Sequence, residues 1–326
     1  MAGRWKRGIV LLLTAIMMLS VAGCGPEKEE PEQPQQTEQP EQETVTEQET
    51  KPSQPVSEVE APSLEEQIDE ARAKNDDIVG WLKIDDLKID GAVVQAEDNH
   101  YYERKNEWKQ YSWTGSFFAD YECNFDSRED LSKNTVIYGH NVHFDDNKDG
   151  ERFSQLFYFT DIDFAENHPY VYFSINGDSD TVENEEEKAE NDMVWQIFSV
   201  FYTTTDFDYI KINKDYKNPE EGEITDAQLM NIITEAKQRS EYVYDVDVTG
   251  EDKILTLSTC SYKYDKRNDV RFVVMAKLLD EGEALQKTVQ LKENTSKKQW
   301  NNEKKSSAKA ELFFSSSNKP LLNACS

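Results

Sequence analysis

The chain has 326 residues, a formal net charge of −29 and a mean hydropathy of −0.81. Both values are extreme for one compact domain, so the polar residues must be concentrated in segments outside the folded part. The strong acidity and the lack of a basic face disfavour nucleic-acid binding.

The amino terminus has the features of a secretion signal. Three basic residues precede an apolar run from Ile9 to Ala22, which is too short for a membrane span and typical of a signal-peptide core. Residues 1–24 end in Val-Ala-Gly-Cys, which resembles a bacterial lipobox, so Cys24 is predicted to carry a lipid after cleavage. The alternative is an uncleaved membrane anchor. Either way, the sequence predicts a protein held at the extracytoplasmic face of the cell membrane.

Residues 25–62 predict a linker. Eleven Glu face two Lys there, with many Pro and Gln and hardly an apolar side chain. Such a segment buries too little surface to offset its ordering entropy, so we expect a disordered, self-repelling spacer. A partner-binding acidic tail is the alternative.

The folded domain is predicted over residues 63–283. Ser63 and Glu66 form a capping box before a short amphipathic helix. Eight strand-like runs follow: Gly80–Ile84, Ala92–Gln95, Gly115–Ala119, Thr135–Tyr138, Tyr170–Ile175, Val194–Tyr202, Ile254–Thr259 and Arg271–Leu279. Eight strands suffice to close a barrel filled by side chains, so the fold class is mainly β.

Three further segments interrupt or follow this series. Between the sixth and seventh strands, Thr225 and Gln228 form a second capping box before a helix with one apolar stripe. The acidic loop 178–192 is interpreted as a solvated hairpin insertion, with a metal site as the weaker alternative. The polar tail 284–326 is predicted to be disordered and has no assigned function.

A hairpin near the end of the domain carries the catalytic candidates. The apolar run KILTLSTC ends at Cys260, and the next run, RFVVMAKLL, opens with Arg271. A hairpin brings these two residues together at one end of a sheet, with Ser258 on the same face as Cys260. A thiol facing a guanidinium suits acyl transfer. His140, which follows another predicted strand, supplies the missing base.

Each candidate has a competitor. His143 lies inside its loop rather than at a strand end, and Arg267 sits mid-loop among lysines, so His140 and Arg271 are preferred. Cys123 could form a disulfide with Cys260, which would prevent catalysis, but nothing local favours that pairing. The remaining cysteine, Cys325, lies in the tail. No HExxH spacing or His/Cys cluster occurs, so neither a metal nor a cofactor is expected.

Several ordered motifs resemble one enzyme family. LSTC followed by RFVVMAKL, with YGHN upstream, is similar to the signature of the sortases, and of class B in particular. The likeness runs roughly from Ile78 to Leu279 and includes WLKIDDLKIDGAVVQ, GSFFADY and TTTDFDYIKI. It implies a closed eight-stranded barrel with an amino-terminal helix and a long helix before the seventh strand.

The resemblance also implies a reaction. Cys260 would attack the Thr carbonyl of an Asn-Pro-x-Thr-like sorting motif in surface proteins and form a thioester. Arg271 would stabilise the oxyanion or hold the peptide backbone, with a backbone amide assisting. His140 would protonate the leaving amine and deprotonate the incoming one, an amino group of peptidoglycan.

Substrate-contacting positions are carried over in the same way. Thr205, Tyr209, Ile210 and Ser258 match residues that line the class B peptide site. The alternative is that Tyr209 and Ile210 merely pack their loop onto the barrel. Some class B members have acidic residues directly after the Cys, but this chain has Ser and Tyr there, and its nearest carboxylates in sequence are Asp265 and Asp269. A mechanism that needs a carboxylate beside the Cys is therefore in doubt.

Two other functions compete with transpeptidation. A hydrolase would resolve the same thioester with water. A non-catalytic surface lipoprotein could use the barrel only to bind peptides, but it predicts loss of the Cys, His or Arg, and all three are present.

Overall fold

The computed structural model describes residues 64–142, 145–175, 193–216, 218–263 and 269–298. The predictions for the signal segment with Cys24, the linker, the acidic loop 178–192, His143, Arg267 and Cys325 lie outside these residues. Among the described helices, none is both long and apolar enough to cross a membrane.

Ten strands are described in this part of the chain. They are β1 (Ile78–Lys83), β2 (Asp90–Val94), β3 (Phe117–Ala119), β4 (Asn134–Tyr138), β5 (Tyr170–Ile175), β6 (Val194–Thr204), β7 (Tyr242–Val243), β8 (Ile254–Cys260), β9 (Val270–Leu278) and β10 (Lys292–Glu293). Eight of them close into a barrel in the order β1-β2-β3-β4-β8-β9-β6-β5. The predicted mainly-β barrel is thereby confirmed.

Alternate side chains of the barrel strands form the main hydrophobic core. Ile137, Leu257 and Val274 are paired across β4, β8 and β9, and all three are fully buried in the main hydrophobic cluster. The alternate residues of the same strands face the other way. Val136 and Tyr138 of β4 belong to a second, smaller cluster outside the barrel. This outer face carries the candidate site.

The helices lie around the barrel. They are α1 (Leu64–Arg72), α2 (Ile162–Asn167), α3 (Asp226–Arg239) and two 3-10 helices, Phe153–Thr160 and Pro219–Glu221. The capping box of α3 is present, with Thr225 and Gln228 bonded reciprocally. Its predicted apolar stripe is buried, which fixes the helix on the barrel.

The first part of the predicted tail packs onto the domain. β10 pairs with β7, Leu291 is buried in the main cluster, and the backbone N–H of Val289 donates to the Glu166 carbonyl. These contacts place residues 284–298 with the folded domain, so its boundary lies beyond 283. The apolar side chains of Val289 and Leu291 account for this packing. Each is a single apolar residue in a polar stretch, so the sequence gives no periodic signal that predicts it.

Candidate active site

The register of two strands brings Cys260 and Arg271 together. They are paired partners at the open end of the antiparallel β8–β9 ladder, so their side chains share a face. Cys260 is 3% exposed and Arg271 is 1% exposed. The arrangement matches the predicted hairpin and sets a thiol group beside a buried cation.

His140 reaches the same edge from the neighbouring strand. β4 runs parallel to β8, with Tyr138 opposite Ser258. One residue further, the Gly139 N–H donates to the Ser258 carbonyl at 3.3 Å, and the Thr259 hydroxyl donates to the Gly139 carbonyl at 2.7 Å. These bonds continue the alignment past the strand, so the next residue, His140, comes level with Cys260.

A contact with a backbone carbonyl orients the imidazole of His140. Its Nε2 lies 2.7 Å from the carbonyl oxygen of Glu103. A carbonyl oxygen only accepts hydrogen bonds, so Nε2 carries a proton there, and the lone pair of the neutral ring is on Nδ1. The ring therefore has a defined tautomer, in which Nδ1 is the nitrogen that can accept a proton.

Gly115 makes this contact possible. Its φ is +60°, and a Cβ added there would lie 2.7 Å from the Glu103 oxygen and 2.9 Å from the His140 ring. Only glycine combines that backbone conformation with such a close approach. This also explains why β3 begins at Phe117, two residues later than the predicted start at Gly115.

The two backbone amides that follow Cys260 are already bonded. The Ser261 N–H donates to the Val270 carbonyl at 3.0 Å, and the Tyr262 N–H donates to Oδ1 of Asp146 at 2.8 Å. Neither amide can act as the expected backbone donor to the oxyanion unless its present hydrogen bond breaks. Arg271 is thus the donor that the strand pair itself places beside the thiol.

Arg271 is a desolvated cation. Burial lowers its pKa, while the neighbouring Tyr209 and Asp269 raise it. An arginine keeps its proton under such conditions. One of its terminal nitrogens donates to the Val270 carbonyl at 2.9 Å, which orients the guanidinium along its own strand.

Two of the four predicted substrate residues are in direct contact. The hydroxyl groups of Tyr209 and Ser258 are hydrogen-bonded at 2.8 Å. Burial raises the pKa of Tyr209, and Arg271 opposes this effect. Ile210 is half-buried against both hydrophobic clusters, and the Thr205 N–H donates to the Asp269 carbonyl at 3.0 Å. Their contact with a substrate stays a prediction, and Tyr209 also fits the packing alternative because it is only 1% exposed.

Cys123 is a free, buried thiol, so the alternative pairing of Cys123 with Cys260 is absent. Nucleophilic chemistry at Cys260 requires its reduced form. Within the described residues, no group of three or more His, Cys, Asp or Glu side chains could hold a metal ion.

One carboxylate near Cys260 was not identified from the sequence. Asp146 bonds to Ser261, Tyr262 and Asn141, although 114 residues separate it from Cys260 in the chain (260 − 146). The carboxylates nearest in sequence are therefore a poor guide here. The acidic stretch FDDNKD around Asp146 has no periodicity, so no sequence signal identifies this residue.

No family model matches the chain. The sortase B of Listeria monocytogenes is 35% identical over 216 residues, which cover 66% of this chain and 75% of that protein. This chain belongs to the sortase B family. The Staphylococcus aureus sortase B agrees, with 30% identity over 213 residues, covering 65% of this chain and 75% of the relative.

Solved sortase B structures share the fold. The crystal structure of the Staphylococcus aureus enzyme has a TM-score of 0.52 at 28% identity, covering 67% of this chain and 88% of that one. A Staphylococcus aureus sortase B–substrate complex gives 0.51 at 28% identity, covering 67% and 86%. A sortase B complexed with Gly3 gives 0.53 at 28% identity, covering 67% and 87%. As a family member, the protein is a class B sortase, a cysteine transpeptidase with a closed eight-stranded barrel.

Proposed function

We propose that this sortase B uses Cys260 as its nucleophile, His140 as its general acid and base, and Arg271 as its oxyanion donor. The observation that carries the proposal is the pairing of Cys260 with Arg271 at the end of the β8–β9 ladder, with His140 level with them at the end of β4. No cofactor is needed, because all three chemical roles are filled by side chains.

The reaction consists of two acyl transfers. The Cys260 thiolate attacks the carbonyl carbon of a Thr in the donor peptide, and the C–N bond breaks to leave a thioester. His140 donates its proton to the departing amine. An incoming amine then attacks the thioester, gives a proton to His140, and the thiolate departs. In both tetrahedral intermediates Arg271 faces the negative oxygen.

The partners follow from this chemistry. The donor is a surface protein with an Asn-Pro-x-Thr-like sorting motif, and the acceptor is an amino group of peptidoglycan. The solved complexes of sortase B with a substrate and with Gly3 support a peptide donor and a glycine amine acceptor. We further propose attachment to the outer face of the cell membrane through lipidated Cys24 or an uncleaved anchor.

The test uses the full chain in detergent with a phosphine reductant, beside its Cys260→Ala variant. Each is incubated with a quenched fluorescent library of Thr-containing pentapeptides, with and without triglycine, and products are weighed by mass spectrometry. We expect cleavage that depends on Cys260 and a product coupled to triglycine. Cleavage by the Ala variant would refute the nucleophile assignment, and cleavage without coupling to any added amine would make the protein a hydrolase.

A further inference from the structure

The side chain of Asp146 joins the loop that carries the base to the turn that follows the nucleophile. Its Oδ1 accepts from the Tyr262 backbone N–H at 2.8 Å and from the Asn141 side-chain amide at 2.9 Å. Its Oδ2 accepts from the Ser261 hydroxyl at 2.6 Å. Asn141 directly follows His140, whereas Ser261 and Tyr262 directly follow Cys260.

Further hydrogen bonds of Asn141 and Ser154 strengthen this connection. The Asn141 side-chain amide also donates to the backbone carbonyl of Cys260 at 3.1 Å. Its oxygen accepts from the Ser154 hydroxyl at 3.1 Å, and that hydroxyl accepts from the Val142 N–H at 2.9 Å. The network is thus tied to the 3-10 helix that begins at Phe153. Every link runs between segments far apart in sequence or across a loop.

The backbone at Asp146 is unusual. Its φ is +54°, in the left-handed region that residues other than glycine rarely adopt. Such a conformation costs free energy and persists only where surrounding contacts hold it. Bonds to a carboxylate are stronger than those between neutral groups, and three of them converge here. The loop is held in this conformation by its contacts around the Cys260 turn.

We infer that Asp146 is a positioning residue of the transpeptidase, which fixes the His140 loop against the Cys260 turn. The inference rests on the proposed roles of His140 and Cys260. A carboxylate therefore does bind the turn that follows the nucleophile, and it is supplied by the loop after β4 instead of the residues after the Cys. Asp146 does not exchange protons with substrate; it holds the two reacting groups at their mutual distance and keeps the Tyr262 amide occupied.

The first test compares Asp146→Ala with Asp146→Asn. The Ala variant removes all three acceptors, and we expect kcat to fall about 10- to 100-fold, because small misplacements of reacting groups cost rates of that order. KM should change by less than about threefold, because the peptide groove is untouched. The Asn variant keeps Oδ1 for Tyr262 and Asn141 and can donate its amide to the Ser261 hydroxyl, so it should recover most of kcat.

Matched variants separate positioning from stability. Asp145→Ala removes an exposed neighbouring carboxylate and should leave kcat unchanged, and thermal melts check that each variant is folded. Asn141→Ala combined with Asp146→Ala should lose hardly more kcat than either alone, because both substitutions break one network. Full additivity, an Ala variant with wild-type kcat, or an Asn variant no better than Ala would overturn the inference.

A readout without peptide substrate keeps this result separate from the proposed function. After reduction, the rate at which iodoacetamide modifies Cys260 is followed against pH by mass spectrometry of the Cys260 peptide. Misplacement of the His140 loop should shift that profile in Asp146→Ala but not in Asp145→Ala. An unchanged profile would count against Asp146 even if no peptide is cleaved. Failure of the wild-type enzyme to cleave any peptide would instead count against the proposed function alone.

Discussion

The β8–β9 ladder and the loop after β4 contribute to the same site in different ways. The ladder fixes Cys260 and Arg271 by a run of paired residues, all of them buried except Lys277 at its far end. The loop fixes the region after His140 by individual side-chain bonds, from Asn141, Asp146 and Ser154. A strand tolerates changes at one side chain because its neighbours hold the register. A loop depends on each contact, so its weak points are single residues.

The largest effect is expected inside the ladder, at Arg271→Lys. The lysine keeps the positive charge but loses the planar, forked donors of the guanidinium. Loss of an oxyanion donor predicts a fall in kcat of about 100- to 1,000-fold. Steady-state kinetics with the cleaved peptide measure this. A lysine variant with the wild-type kcat would show that a positive charge alone suffices and that the planar donor geometry of the guanidinium is not needed.

The next effect is expected where a loop supports the base, at Gly115→Ala. The new Cβ would meet the Glu103 carbonyl at 2.7 Å and the His140 ring at 2.9 Å, so the imidazole must shift. We expect kcat to fall about 10-fold or more, since displaced catalytic groups lose rate steeply. The matched control is Gly222→Ala, which has a φ of +79° but nothing within 4 Å of its added Cβ.

The comparison of these two glycine variants isolates the contact with His140. Both place alanine in the left-handed region, so both should lower the melting temperature. Only Gly115→Ala should lower kcat in protein that is still folded. Equal kcat losses in both would mean that general backbone strain, rather than the support of His140, sets the rate.

A smaller effect is expected at Tyr209→Phe. The change removes the buried hydroxyl that bonds to Ser258 and keeps the ring against Phe201 and Phe207. Loss of one such bond should cost about 1 kcal/mol of unfolding free energy, measured by chemical denaturation. If Tyr209 also lines the peptide groove, KM rises while kcat holds. An unchanged KM favours the packing alternative.

The smallest effect concerns pH and the buried carboxyl of Asp120. Burial raises its pKa, against bonds from Tyr138, the Glu122 backbone and Asn99 that lower it. A carboxyl with a raised pKa in the folded state contributes stability at low pH, which is lost as pH rises through that pKa. Relative to Asp120→Asn, the wild-type melting temperature should therefore decline from acidic to neutral pH. Asp85→Asn, at a half-exposed side chain, serves as the control and should follow the wild-type curve.

The sequence predicts the ladder well and the loops poorly, for a physical reason. The runs ending at Cys260 and beginning at Arg271 are apolar and β-branched, so periodicity and strand ends locate both residues. His140 could be predicted because it directly follows such a run. Asp146 and the Glu103 carbonyl could not, because their roles depend on how loops fold back in space. The neighbouring residues in the sequence are of the same kinds whether such a group faces solvent or contacts active-site residues.

The parallel pairing of β4 with β8 has a consequence for the timing of activity. His140 and Cys260 are separated by 120 residues in the chain (260 − 140), and only barrel closure makes their strands neighbours. Contacts between such distant segments form late and at high entropic cost. A partly folded chain, during synthesis or refolding, would carry a thiol beside its guanidinium but without its base. Peptide cleavage would then report complete folding, and a nascent chain could not acylate its neighbours.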